Sequence, residues 1–570
     1  MASLFMQIKL MSVALILLTV SLTFLLLKYG IFSGQESGRW DAVHHDCIDS
    51  PFLKTNATAT HAAVVAAMET MKNKKIGLVN LESDRLRNWD ELDYVEEIQF
   101  KRVDPNITWE HLFPAWVDED EEVSTPECPE IQMPEEEDGD GGGYGMVVAR
   151  LPCGHKSERW KRDVFRLQVH LVVAKLASYS PQGVLVVLLS ACRPMVELFR
   201  CEDLVNRWGD AWVFRPDVQK LREKLALPVG SCRLVLPLLK KKAQGREIVD
   251  YDFSKLDYLH QEKKIQNTSS SLSPTREAYA TVIHSSDSYV CGAIALARSL
   301  IHTGTTRDLV LLLHINGDKD GAYHRRKMAL MEAGWKIQEI ERIRNPKAKK
   351  GAYNEWNYTK LRLWQITGYH KIIYLDSDLI VLKNIDRFFG FPQLSAAANS
   401  RSIFNSGFMV IEPSQCTFKI LMELIPVVRS SNGGDQGFLN EVFTWWHRLP
   451  KRVNMLKIFG SPVRVANNTR IMGSEPPELY GLHYLGIKPW QCYRDYDCNW
   501  NVENQRLFAN DVAHARWWKL YDLLIPMSLQ PFCLLSERRK VGLQREIEEA
   551  QTIGYPDQHW LRAIKDTRQP

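Results

Sequence analysis

The second half of this chain predicts an α/β domain built on a mainly parallel sheet, and three observations carry that expectation. First, strand-like runs at Tyr279–His284, Leu309–Ile315, Lys336–Ile340 and Lys371–Leu375 alternate with helical stretches near Tyr289–His302, Tyr323–Ala333 and Glu355–Thr367. Strands spaced by helical segments give parallel crossover units. Second, K-I-I-Y-L at 371–375 is apolar without alternation, as in a strand covered on both faces. Third, that run breaks into Asp376-Ser377-Asp378, two carboxylates where a strand leaves the core. Ligands gather at the carboxyl ends of such strands. No G-x-G-x-x-G follows the first strand, which argues against a dinucleotide site.

Taken from the amino end, the chain divides into several segments. Residues 1–9 form a short head. The following 18 residues, Leu10 to Leu27, carry no charge and are flanked by Lys9 and Lys28. A bilayer span takes about 20 mostly apolar residues, so 10–28 reads as a retained signal anchor. No small-x-small cleavage site follows it, which disfavours a removed signal peptide. The short head and long body suit a single pass with the body in the lumen. Sequons at Asn56, Asn106, Asn267, Asn357 and Asn467 fit lumenal exposure. The 11 cysteines contain no C-x-x-C pair, so a zinc module is disfavoured. Cys492 and Cys498 are close enough in sequence to join, and Cys153 near His155 reads as structural.

Residues 29–145 read as a largely flexible stem, with D-E-D-E-E at 118–122 and P-E-E-E-D-G-D-G-G-G at 134–143. Such acidic, glycine-rich runs bury too little apolar surface to fold alone. From 146 to 262 the runs M-V-V-A-R, L-Q-V-H-L-V-V-A-K-L, G-V-L-V-V-L-L-S and C-R-L-V-L-P-L suggest a small β-rich accessory unit. A serine-rich linker spans 263–275, the α/β domain 276–533, and a partly helical tail 534–570. The formal charge of +4 is too small to suggest nucleic acid as a partner.

Asp376 and Asp378 are hard oxygen ligands of the kind that bridge Mn²⁺ or Mg²⁺ to substrate phosphates. Ser377 between them is small enough to admit a ligand. The alternative is a surface turn with solvated acids. Further motifs decide against that alternative: Y-A-T-V-I-H-S-S-D-S-Y, N-E-W-N-Y-T-K-L-R-L-W, F-N-S-G-F-M-V-I-E-P, N-G-G-D-Q-G-F-L-N and L-H-Y-L-G-I-K-P-W. In this order they resemble the glycogenin-like retaining glycosyltransferases, glycosyltransferase family 8, over about 276–500. F-T-W-W-H-R-L-P and K-P-W-Q-C-Y-R-D-Y-D-C-N-W look more particularly like the plant enzymes that add glucuronic acid to xylan. That closer likeness extends into the accessory region and to His559-Trp560.

The resemblance implies a GT-A fold and a role for each matching residue. Asp376, Asp378 and His483 would hold Mn²⁺, or Mg²⁺ in its place. Ser286, Asp287 and Tyr289 would receive the uridine, with Tyr289 stacking on uracil or, alternatively, lying in the core. Lys360 and Lys488 would lie near the donor's sugar and phosphates. Asn399, Asn405, Gly434, Asp435 and Gln436 would surround the donor sugar, with Asp435 nearest the reacting carbon. Ser377, Ser406, Gly407 and Gly486 complete the expected donor site. Trp445-Trp446 either binds sugar or packs in the core. The departures from the glycogenin pattern are Asp-Ser-Asp for Asp-Ala-Asp and a Gly-to-Lys spacing one residue shorter in H-Y-L-G-I-K-P-W. No tyrosine-rich acceptor segment precedes that motif, which disfavours self-glucosylation.

The reading that results is a Golgi type II enzyme moving glucuronic acid from UDP-glucuronate to O-2 of xylan xylose. Assembly with other wall-polysaccharide synthases would be consistent with it. The alternatives are another UDP-hexose or UDP-galacturonate donor, or a non-catalytic glycan-binding subunit. A glucuronyl donor needs a cationic contact for its C6 carboxylate. R-I-R-N-P-K-A-K-K at 342–350 offers several cations, and Arg344, ahead of the Asn345-Pro346 turn, is the expected one.

Overall fold

The computed structural model describes residues 74–570, except 82–93, 114–127, 135–142, 154–160, 181–182, most of 227–275, 285–287, 315–320, 458–461, 495–497, 499–509, 555–557 and scattered positions after 561. The expected anchor at 10–28 lies outside these residues. Among the described residues no helix is long and apolar enough to cross a membrane.

The first sheet contains β1 (Ile76–Val79), β2 (Val95–Ile98), β3 (Met146–Arg150), β4 (Leu185–Leu189), β5 (Leu204–Trp208) and β6 (Ala211–Phe214). Its order is β2-β1-β3-β4-β6-β5. The β2-β1-β3-β4 portion is parallel, and β6 and β5 return antiparallel. Helix α1 (Val164–Tyr179) packs on this sheet and against α2 (Val218–Ala226).

Two expectations are corrected here. The sheet begins within the segment read as stem, and Val103, Trp109, Leu112, Phe113 and Ile131 are buried in its core. Strands of four residues, one of them V-E-E-I with an exposed glutamate, carry no sustained period. The stretch L-Q-V-H-L-V-V-A-K-L is helix α1, so the accessory unit is α/β and not β-rich. Asp163 caps that helix by accepting from the Arg166 N–H, and thirteen of its sixteen residues are buried. A helix buried on nearly all sides has no exposed polar stripe to reveal its period. C-R-L-V-L-P-L and the linker lie outside the described residues.

The second sheet follows the expected α/β alternation. It contains β7 (Glu277–Ile283), β8 (Asp308–His314), β9 (Lys336–Ile340), β10 (Lys371–Leu375), β12 (Ser395–Ala398), β13 (Phe404–Ile411) and β14 (His447–Leu449). A separate strand, β11 (Leu379–Val381), lies between β10 and β12 in the chain. Helices α3 (Tyr289–His302), α4 (Gly321–Ala333), α5 (Gln415–Leu424) and α6 (Asp435–Val442) connect these strands. The helix expected around Glu355–Thr367 is a 3-10 helix, Asn357–Gln365. The order is β9-β8-β7-β10-β13-β12-β14, with β9, β8, β7 and β10 parallel and β13 antiparallel to both its neighbours. The chain order reverses between β7 and β10, and ligand crevices of α/β sheets open at such a switch point. Strand β11 pairs with β16 (Gly481–His483), which pairs with β15 (Met455–Leu456).

The two sheets share one hydrophobic core. Phe113 stacks on Trp446 with ring centroids 5.6 Å apart. Glu197 accepts from the backbone N–H groups of Thr444 (2.7 Å) and Trp445 (3.1 Å). A disulfide joins Cys201 to Cys416, and Arg162 pairs with Glu441 at 2.9 Å. Trp445 and Trp446 are therefore core residues. The Cys492–Cys498 and Cys153–Cys192 bonds bear out both cysteine readings, and Cys291–Cys533 ties α3 to the region after α7 (Asp511–Leu524).

Candidate active site

The backbone of β10 ends where the Asp376 N–H donates to the Gly407 carbonyl at 2.9 Å, and the carboxylates project beyond the sheet. Strand β11 begins directly after Asp378, and its pairing sets Leu379 opposite His483. One ligand atom from each of Asp376, Asp378 and His483 therefore falls within 4.8 Å of the others. His483 Nε2 lies 3.2 Å from Asp378 and 3.9 Å from Asp376. Its Nδ1 is 3.0 Å from Asn454 Oδ1, an acceptor, so the proton sits on Nδ1 and Nε2 keeps its lone pair toward the carboxylates. Such an outer partner fixes a metal-ligating imidazole. Two hard carboxylates and one oriented imidazole fit a divalent cation.

Lys488 caps the cluster: its ammonium donates to Asp378 (2.5 Å) and to the Tyr484 carbonyl (2.6 Å). Gly486 adopts φ +70°, the left-handed turn that brings Lys488 back over the site. Burial alone would raise the Asp378 pKa, but the Lys488 ammonium outweighs it and holds the carboxyl far below its usual range.

A second cluster centres on Asp435, the first residue of α6. Lys360 reaches Asp435 at 2.6 Å and Asp376 at 3.2 Å, and so links the two acidic groups. Ser406 Oγ donates to Asp435 Oδ2 (2.9 Å), and Asn357 Nδ2 donates to Oδ1 (2.9 Å). Burial opposes ionisation of Asp435, but the charge and hydrogen bond of Lys360, followed by Ser406, keep its carboxyl below the ordinary value. Burial likewise opposes the Lys360 ammonium, and Asp376 and Asp435 reverse that and raise its pKa. Gln436 accepts from the Ser406 N–H at 3.2 Å, and Gly434 is the N-cap of α6.

Other expected residues are placed differently. Asn405 is buried behind the Asp376–Asp378–His483 cluster, where its Oδ1 accepts from the Gly407 N–H (2.8 Å) and Asn454 Nδ2 (2.9 Å). Its own amide donates to the exposed Asn399 at 3.3 Å. Tyr289 opens α3 half-buried, and its hydroxyl pKa is raised by burial. Ser377 is buried within the turn. Ser286 and Asp287 lie outside the described residues. Arg344 pairs with Glu355 (3.1 Å) and donates to the Ala348 carbonyl (3.2 Å), so it is engaged in its own loop.

The sequence does not single out Asn454 and offers Asn357 only as an N-x-T sequon. Its hydrogen bond to Asp435 makes it a site residue. Gly407 supplies space: a Cβ there would lie 2.5 Å from His483 Cε1. Gly407→Ala should therefore displace the imidazole and weaken metal binding by about 10- to 100-fold, the usual effect of disturbing an outer partner. Calorimetric titration with Mn²⁺, beside an unchanged circular dichroism spectrum, measures it.

Residues 52–232 match the family model described as the GUX1-5 N-terminal domain, and 280–400 match Glycosyl transferase family 8. UDP-glucuronate:xylan alpha-glucuronosyltransferase 2 of Arabidopsis thaliana is 45% identical over 540 residues, covering 93% of this chain and 87% of that protein. The chain belongs to the UDP-glucuronate:xylan α-glucuronosyltransferase family. A further member, alpha-glucuronosyltransferase 1 of the same plant, is 44% identical over 87% of this chain and 72% of its own length. Glycogenin-1 of Homo sapiens is 27% identical over 46% of this chain and 77% of its own length. Among solved structures, the galactosyltransferase LgtC with donor and acceptor sugar analogs is 16% identical, covers 45% of this chain and 100% of that one, and has a TM-score of 0.31. The first sheet falls within the N-terminal match, and the second sheet begins within the family 8 match. The family 8 match itself ends at residue 400, after Asp378 but before Asp435 and His483.

Proposed function

We infer that this chain is a retaining, divalent-metal-dependent transferase of the GT-A type that moves glucuronate from UDP-glucuronate to O-2 of xylan xylose. The observation that carries this reading is the Asp376–Asp378–His483 cluster, linked through Lys360 to Asp435 in a member of this family. A Mn²⁺ ion held there would offset the negative charge that builds on the UDP leaving group. Lys488, already at the cluster, adds a fixed positive charge where that charge develops. Lys360 keeps Asp435 ionised at the sugar. Both oxygens of Asp435 accept hydrogen bonds, which blunts it as a nucleophile. This favours attack by the acceptor on the leaving-group face, with Asp435 steadying positive charge on the sugar. Lumenal placement in the Golgi belongs to the same reading, and the four disulfides between described cysteines fit an oxidising compartment.

The test is a donor screen with purified protein, Mn²⁺ and xylo-oligosaccharides. Turnover with UDP-glucuronate should exceed that with UDP-glucose or UDP-galacturonate, and proton NMR of fresh product should show an α linkage. A β linkage would sink the retaining assignment. Preference for another donor would overturn the glucuronosyl reading, and binding without turnover would favour a non-catalytic subunit.

A further inference from the structure

A glucuronyl group differs from a glucosyl group by a carboxylate at C6, so selecting it takes a cation that protein carboxylates have not already paired. The site holds few such groups. Lys360 is bound between Asp376 and Asp435, Lys488 is bound to Asp378, and Arg344 is held by Glu355.

Arg342 differs from these three. Its guanidinium lies over the Trp356 ring, 4.0 Å from the centroid, and makes no ion pair or hydrogen bond among the described residues. Stacking covers one face of a guanidinium and leaves the edge of its planar fork free for a bidentate carboxylate.

The surrounding backbone keeps this pair beside the Asp435 cluster. Arg342 lies two residues past the end of β9, at the carboxyl edge of the sheet. The next residue, Ile343, donates its N–H to Thr359 Oγ1 at 3.0 Å, docking the loop on the 3-10 helix that carries Asn357 and Lys360. Asn345 donates its N–H to the Glu355 carbonyl (2.7 Å) and its side-chain amide to the Gly433 carbonyl (2.8 Å). The Arg342 loop is thereby fixed to the turn that leads into Asp435. Trp356 precedes Asn357, whose Nδ2 holds Asp435 and whose Oδ1 is shielded from solvent without a hydrogen-bond partner. His284, which follows β7, feels the charges of Asp435, Lys360 and Arg342 together. Burial, first among the causes, pushes its pKa down to about 4, so it stays neutral and adds no competing cation.

We propose that Arg342, seated on Trp356, receives the C6 carboxylate of the donor and sets the preference for UDP-glucuronate over UDP-glucose. The proposal rests on the donor assignment above and replaces Arg344 as the discriminating residue. Rejection of analogues that leave a fully buried polar group unpaired reaches about 10⁴-fold. Arg342 is only partly buried, so a smaller factor is expected.

The experiment compares kcat/KM for the two donors in wild type, Arg342→Ala, Arg342→Lys and Arg344→Ala. Arg342→Ala should lose about 10²-fold with UDP-glucuronate and less than about 3-fold with UDP-glucose, because only the charged donor uses the fork. Arg342→Lys should recover part of the preference, since it keeps the charge and loses the bidentate edge. Arg344→Ala should lower both donors together through its loop. Equal losses for both donors in Arg342→Ala, or an unchanged preference, would overturn the proposal while wild type still prefers UDP-glucuronate. If wild type does not prefer UDP-glucuronate, the donor assignment fails first and this inference falls with it. Thermal melting of each variant identifies any loss that comes from misfolding.

Discussion

Asp378→Asn should lower kcat/KM by on the order of 10³-fold while the protein still folds. The carboxamide is neutral and a poor ligand for a hard cation, so the variant loses one of the two anionic arms of the cluster. It still offers an oxygen to Lys488 and leaves the Asp378 carbonyl free to accept from the Tyr484 N–H at 2.9 Å. The backbone of the turn between β10 and β11 therefore survives, although Lys488 loses its buried counter-charge and stability should fall by about 3–5 kcal/mol. Removing metal from wild type with a chelator should mimic the variant, and added Mn²⁺ should restore only wild type. Wild-type turnover by Asp378→Asn at limiting Mn²⁺ would refute the ligand assignment.

Lys360→Met should damage activity and stability together. Lys360 neutralises Asp376 and Asp435 at once and also donates to the Ser406 carbonyl and hydroxyl, each at 3.2 Å. Removing one partner of a buried ion pair costs about 3–5 kcal/mol, because the remaining charge is left uncompensated. The effect should depend on pH in a definite direction. In wild type the Asp435 pKa is depressed below 3.8, so its contribution is present above that value and fades as pH falls through the folded pKa. Without Lys360, burial dominates and the folded pKa rises above the unfolded one. The penalty is then full at neutral pH and disappears as acid protonates the group. Urea denaturation at pH 7 and again near pH 4 should show the gap between wild type and variant narrowing in acid. A gap that widens would show that Asp435 is not the group Lys360 compensates.

The α/β half was legible because its strands are apolar runs bounded by turns. The Asp376–Asp378 pair stood out as charge at a strand exit. The N-terminal sheet was hidden by opposite causes: β1 and β2 are too short to show a period, and α1 is too uniformly buried to show one. His483 was found through the family motif, but its support by Asn454 and Asn405 crosses between strands and leaves no local mark. Asn357 read as a sequon because its chemistry comes from Asp435, 78 positions away. Arg344 was chosen for its turn; that Glu355 engages it while Arg342 is left facing Trp356 appears only in three dimensions.

The shared core bears on what could be detached. A protein shortened to begin near residue 276 would uncover the ring of Trp446 that Phe113 now covers. It would also leave the Thr444 and Trp445 amides without the Glu197 carboxylate and free the thiol of Cys416. Exposed tryptophan, unsatisfied amides and a loose thiol describe an aggregating fragment, not a smaller enzyme. Exchanging the N-terminal sheet for a relative's would succeed only if the matching surface under β14 travelled with it. The N-terminal sheet and the sheet that carries the site fold as a single unit.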